Sequence, residues 1–167
     1  GWPGSTEPWS YIDQWGPRQI HADYAWERTT GSPDITIAIL DSGVDASHTE
    51  FAGRLLPGYD FIQADTTPQD ECGHGTHVTG IAAATGNNTQ GIAGIDWQAR
   101  ILPVRVLAAN CQGTIEQIVS GLDWAVNQGA DIIKLCLGTR SNSILLQNST
   151  PQAYAKGVVL MAAAGLW

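Results

Sequence analysis

Continuously apolar runs alternate along the chain with amphipathic stretches, and the two kinds of segment predict different elements. The run ITIAIL (35–40) is apolar and β-branched without a polar alternation, which suits a strand covered on both faces. ARILPVRVL (99–107), ADIIKLCLG (130–138) and VVLMAAAG (158–165) read the same way, and a weaker strand lies near PGYDFI (57–62). Helices are predicted at 18–29, 74–84, 114–129 and 142–157; Pro151 inside the last predicts a break or kink. Residues 1–17, rich in Gly, Pro and Trp, read as an extended arm, and NNTQG (87–91) as a loop. The alternation of strand and helix predicts a doubly wound parallel α/β sheet, with no internal repeat and no interdomain linker. Sites in such sheets gather at the carboxyl ends of the strands. Asp41, Gly138 and Gly165 each follow a strand, so their loops and the start of the 74–84 helix are expected to share one crevice.

Composition narrows the classes. The chain has 167 residues, 43% hydrophobic and 14% charged, enough for one domain with a core and too apolar for a disordered chain. Its net charge of -8 repels phosphate backbones, so nucleic acid is not an expected partner. No apolar run reaches the length of a membrane span, and the opening GWPGSTEPWS lacks the positive start of a leader, so neither membrane nor leader is read. Few Lys and Arg, seven Trp and many Asn, Gln, Ser and Thr suggest a secreted bacterial-type enzyme. The three cysteines, Cys72, Cys111 and Cys136, permit at most one internal pair and leave one thiol.

The candidate chemistry centres on DECGHGTHVTG (70–80), where His74 and His77 stand three apart at the start of a helix. Three readings compete. With Cys72 the two histidines would supply three zinc ligands. They would otherwise be ordinary polar residues at a helix start. A general base is the third reading, which needs an orienting carboxylate and a nucleophile. LDSGVD supplies a carboxylate, Asp41, at the correct sheet edge, although Asp41 alone also suits a strand-end turn.

AILDSGVDASH and GHGTHVTGIAAA, in this order, resemble the Asp and His motifs of the subtilisin-like serine proteases (subtilases). The likeness continues through GIAGI, ILPVRVL, DWAVNQGADIIKLCLG and GVVLMAAAG, and is greatest to thermitase-type members. It implies a serine endopeptidase, of which 1–167 is the N-terminal portion of one peptidase domain, the sheet incomplete at its C-terminal side. The resemblance makes Asp41 the orienting acid and His74 the general base, with His77 structural and bonded inward, and Asp45 a turn residue. It lets Gly73 and Gly75 bring backbone and substrate close. Substrate would add as a strand between Cys111, Gln112, Gly113 on one edge and Cys136, Leu137, Gly138 on the other. Ala163, Ala164 and Gly165 would line the primary pocket.

The family's Gly-Thr-Ser-Met-type nucleophile block does not occur in these 167 residues, and Ser42, Ser120 and Ser143 lack its context. Leu166 stands where the family has the Asn that donates into the oxyanion hole. In subtilisin itself, a relative, losing an oxyanion donor costs about 10²–10³ in kcat and losing the nucleophile about 10⁶. The chain alone is therefore expected to be inactive, its partners a polypeptide substrate and the missing C-terminal part of the domain. A non-catalytic peptide-binding pseudoprotease module is the alternative; Leu166 and Cys136 favour it, and intact Asp41 and His74 count against it. Lys134 and Cys136 replace a family Asn and Ser, and Cys111 a Gly. The resemblance also implies structural calcium at Glu7, Glu50, Gly86, Asn88, Gln90 and Ile92, and a second, weaker site at Asp60, Asp65, Thr67 and Gln69. It implies a disulfide between Cys72 and Cys111, which leaves Cys136 as a thiol buried under the pocket, and a secreted, extracellular location.

Overall fold

The computed structural model describes residues 14–138 and 143–163. Its centre is a five-stranded parallel sheet of order β2-β3-β1-β4-β5, formed by β1 (Thr36–Asp41), β2 (Tyr59–Asp60), β3 (Arg100–Arg105), β4 (Ile132–Leu135) and β5 (Val159–Ala162). Strand β1 lies in the middle, with Ile39 opposite Pro103 of β3 and Lys134 of β4. Pro103 is tolerated because its missing N–H faces the β2 side. Ile101, of the same parity, sends its N–H to Arg54 and receives Leu56 on that side, and β2 does not begin until Tyr59.

Helices cover both faces, as the alternation predicts. Helix α3 (His74–Ala83) packs Val78 and Ala83 over Ile37, Ile39 and Ile101. On the other face, α4 (Ile115–Asn127) and α5 (Ile144–Ala155) lay Ile118, Leu122 and Ala153 on Leu40, Val104 and Ile133. Helix α4 starts sharply because Thr114 and Gln117 form a reciprocal capping box, which ties down the chain leaving Gly113.

Three expectations are corrected. The helix at 18–29 is two short ones, α1 (Trp15–Gln19) and α2 (Ala22–Trp26), separated at His21, whose φ is 53°. The register of α2 is set from outside. Trp26 buries its ring beside Trp97 and Ala93, and its indole N–H donates to the Ile95 carbonyl. The same assignment shortens the arm, since residues 15–17 are helical. Pro151 does not break α5, which runs on through it to Ala155; in the turn before it the hydroxyls of Ser149 and Thr150 donate to the Leu145 and Leu146 carbonyls.

Candidate active site

Asp41 ends β1 at the carboxyl edge of the sheet and is fully buried. A buried carboxylate needs donors, and two groups supply them. The Ser42 N–H donates to Oδ1 at 2.7 Å, and His74 Nδ1 lies 2.8 and 2.9 Å from the two oxygens. Because a carboxylate only accepts, the neutral imidazole carries its proton on Nδ1 and leaves Nε2 unprotonated. The His74 side chain is 43% exposed against 1% for Asp41, so one partner is fixed in the core while the other faces solvent.

Glycines bring the two together. Gly73 precedes α3 at φ +93°, a left-handed conformation that turns the chain into the helix. A Cβ on Gly75 would collide with the Gly43 carbonyl oxygen, so only glycine lets α3 approach the loop after β1. A residue that the sequence reading passed over organises this corner. Asp70 accepts from Ser42 Oγ, Cys72 N and Gly73 N through Oδ1, and from Thr76 N and Oγ1 through Oδ2. Burial pushes its carboxyl up, but the hydrogen bonds from Thr76, Gly73 and Ser42 outweigh this and hold it below the ordinary value. Its place four residues before α3 is a local turn signal, but its bond to Ser42, 28 residues away, is not visible in the local sequence.

His74 opens onto a cleft of about 420 Å³ lined also by Leu107, Cys111, Gln112, Gly113, Ile118, Cys136, Leu137 and Gly138. The six residues expected to form two substrate edges thus share one cleft with the imidazole. Gly113 is required there, since a Cβ would meet the Val106 carbonyl oxygen. Cys72 and Cys111 form a disulfide, with Cα atoms 5.7 Å apart, across one end. Cys111 has φ +58°, so a left-handed bend of this wall is held by the bridge. Cys136 is a free thiol, but it stands half-buried in the cleft wall and not beneath it. Ala163 is exposed after β5, its N–H on the Leu135 carbonyl, and does not line the cleft. Ala164, Gly165 and Leu166 lie outside the described residues.

The other expected sites divide. Glu50 is buried, and both its oxygens receive Asn88 Nδ2, at 3.2 and 3.0 Å. Asn88 Oδ1 accepts the Gln90 N–H. Glu50 and Ile92 line a hollow shared with Gly91 and His77, while Gly86 packs on the Trp97 ring and Glu7 lies outside the described residues. The second set does not form a cage. Asp60 is fully buried and spent: Oδ2 accepts Arg105 Nη1 at 3.1 Å, and Oδ1 accepts the N–H groups of Ile62 and Gln63. Asp65 caps its own turn at Thr67, and Gln69 reaches toward Ala46.

The zinc reading fails on its donors. Cys72 is bridged, and no three His, Cys, Asp or Glu side chains converge among the described residues. His77 is exposed and does not bond inward, because its position on α3 points into the solvent-facing hollow. Asp45 is a turn residue as expected, accepting Ser47 N and Oγ. These hydrogen bonds from Ser47 lower its pKa.

Comparison with known proteins agrees with this geometry. The sequence profile described as "Subtilase family" (Peptidase_S8) matches residues 32–165. The chain belongs to the subtilases. It is 45% identical over 152 residues to the thermophilic serine proteinase of Bacillus sp. (strain AK1), covering 91% of this chain and 38% of that protein. It is 44% identical over 160 residues to thermitase of Thermoactinomyces vulgaris, covering 96% of this chain and 57% of that one. Among solved structures, the crystal structure of a cold adapted subtilisin-like serine proteinase superposes with a TM-score of 0.71 at 35% identity. That match covers 79% of this chain and 46% of the other. This subtilase chain thus spans about half the length, or less, of the relatives it matches.

Proposed function

We propose that Asp41 and His74 are the orienting acid and general base of a serine endopeptidase site. The observation that carries this reading is the pairing of His74 Nδ1 with both oxygens of buried Asp41, in a cleft between two strand edges. In this reading a polypeptide adds as a strand between residues 111–113 and 136–138. His74 Nε2 takes the proton from a serine hydroxyl as its oxygen attacks the scissile carbonyl. Asp41 stabilises the imidazolium, which then returns the proton to the leaving amine. Water resolves the acyl-enzyme by the same exchange. The serine itself belongs to sequence outside these 167 residues, so this chain alone carries half a site. The rival reading, a peptide-binding module without chemistry, draws on Cys136, a thiol in the cleft wall.

Calcium is proposed at Glu50 and Asn88, with carbonyls of Gly86, Gln90 and Ile92. Glu50 is a buried carboxylate facing the Asn88 amide, and a hard cation there would need Asn88 to turn its Oδ1, now on the Gln90 N–H, toward it in place of Nδ2. Bound there, calcium would be structural, fixing the loop after α3. An extracellular location is supported by the disulfide, which needs an oxidising compartment, and by a relative named minor extracellular protease Epr, 34% identical.

The test is hydrolysis of a chromogenic peptide by the purified chain. No turnover is expected. Turnover abolished by His74→Ala would overturn the assignment of the nucleophile to sequence outside the chain.

A further inference from the structure

We propose that Asp70 is a positioning residue for Asp41 and His74, clamping the loop after β1 to the first turn of α3. The inference rests on the reading of that couple given above. Helix α3 begins after Gly73, which has no side chain with which to cap it. The first N–H groups of a helix have no partner of their own, and Asp70 and Ser42 supply the missing acceptors. Asp70 takes the N–H groups of Cys72, Gly73 and Thr76, at 3.0, 2.8 and 2.8 Å. Ser42 Oγ donates to Asp70 at 2.7 Å and accepts the Gly75 N–H at 2.9 Å.

Ser42 and Thr76 also tie the opposite side. Ser42 gives its own N–H to Asp41 Oδ1, and Thr76 Oγ1, which donates to Asp70 at 2.6 Å, accepts the Asp45 N–H. Two bridges therefore run from one carboxylate into the loop that holds Asp41. His74 sits among the anchored residues Gly73, Gly75 and Thr76. Asp70 touches neither Asp41 nor His74, so it acts through the backbone it fixes. Five donors converge on its two oxygens, and only a carboxylate accepts all five. An amide would present N–H groups to at least one of them.

The experiment is ¹⁵N NMR of the imidazoles at a pH where they are neutral. His48 is an internal control, because its Nδ1 accepts the Glu50 N–H and its proton is therefore on Nε2. In the unmodified chain His74 shows the Nδ1–H tautomer and His48 the Nε2–H tautomer. In Asp70→Ala, His74 loses the Nδ1–H pattern in favour of Nε2–H while a dispersed ¹H–¹⁵N amide spectrum, matching that of the unmodified chain away from residues 41–45 and 70–76, shows that the fold survives. A folded Asp70→Ala chain in which His74 keeps the Nδ1–H pattern overturns the proposal. If Asp70→Ala does not fold, Asp70→Asn carries the test with the same two outcomes. An Nε2–H His74 in the unmodified chain would instead sink the reading of the couple itself, whatever Asp70 does.

Discussion

Strands β1 and β5 are both read from apolar runs, TIAILD and VLMA, yet they live in different surroundings. Every residue of β1 is buried, between β3 and β4 and under helices on both faces. Strand β5 is one edge of the sheet among the described residues; Leu160 packs against the α4 and α5 side, while Val159 and Met161 are 54% and 52% exposed on the other. Helix α3 stops short of this half of the sheet. An apolar run specifies a strand, but its neighbours decide how much burial it gains. The difference also explains where the site is. A carboxylate is held rigid at the end of β1 because everything around it is packed and hydrogen-bonded, whereas β5 ends among exposed residues.

The comparison is most easily broken in the core. Ile39→Ala is expected to cost about 2–5 kcal/mol, read as a fall in the urea midpoint. A cost like that of a surface change would mean that β1 is not the packed centre.

Asp70→Asn comes next, at about 1–3 kcal/mol for the donors left unpaired. Its pH dependence has a definite sign. The folded Asp70 pKa is lowered, so its contribution is complete above the ordinary carboxylate value of 3.8 and is lost as pH falls through the folded value. Thermal melts of the unmodified chain and of Asp70→Asn should therefore converge toward low pH. A constant gap between them would contradict the shift.

The smallest change is expected on β5. Met161→Lys should leave stability within about 0.5 kcal/mol. It should also reduce self-association in sedimentation, because the exposed edge and apolar face of β5 invite pairing. A destabilisation equal to that of Ile39→Ala would erase the contrast between the strands.

Much of this was legible in the sequence. Four of the five strands announced themselves as apolar runs, and β2, the weakest, is two residues long. The contact of Asp41 with His74 was legible because each lies in a local motif at an element boundary. What stayed hidden depended on partners distant in the chain. Asp60 reads as a loop acid, but β2 brings it beside Arg105, and the two pair as buried charges. The break at His21 follows from Trp26 docking near Ile95, 69 residues on. Asp70 reads as an ordinary turn acid before α3, and its bond to Ser42, 28 residues away, is what stayed hidden.

The most direct measurement is kcat/KM for peptide hydrolysis by the protein expressed from its full reading frame, unmodified and as His74→Ala. The account predicts a loss of about 10⁶-fold, the cost in kcat of removing the equivalent residue from the relative subtilisin. Hydrolysis that survives His74→Ala within tenfold or so would contradict the assignment of His74 as the base.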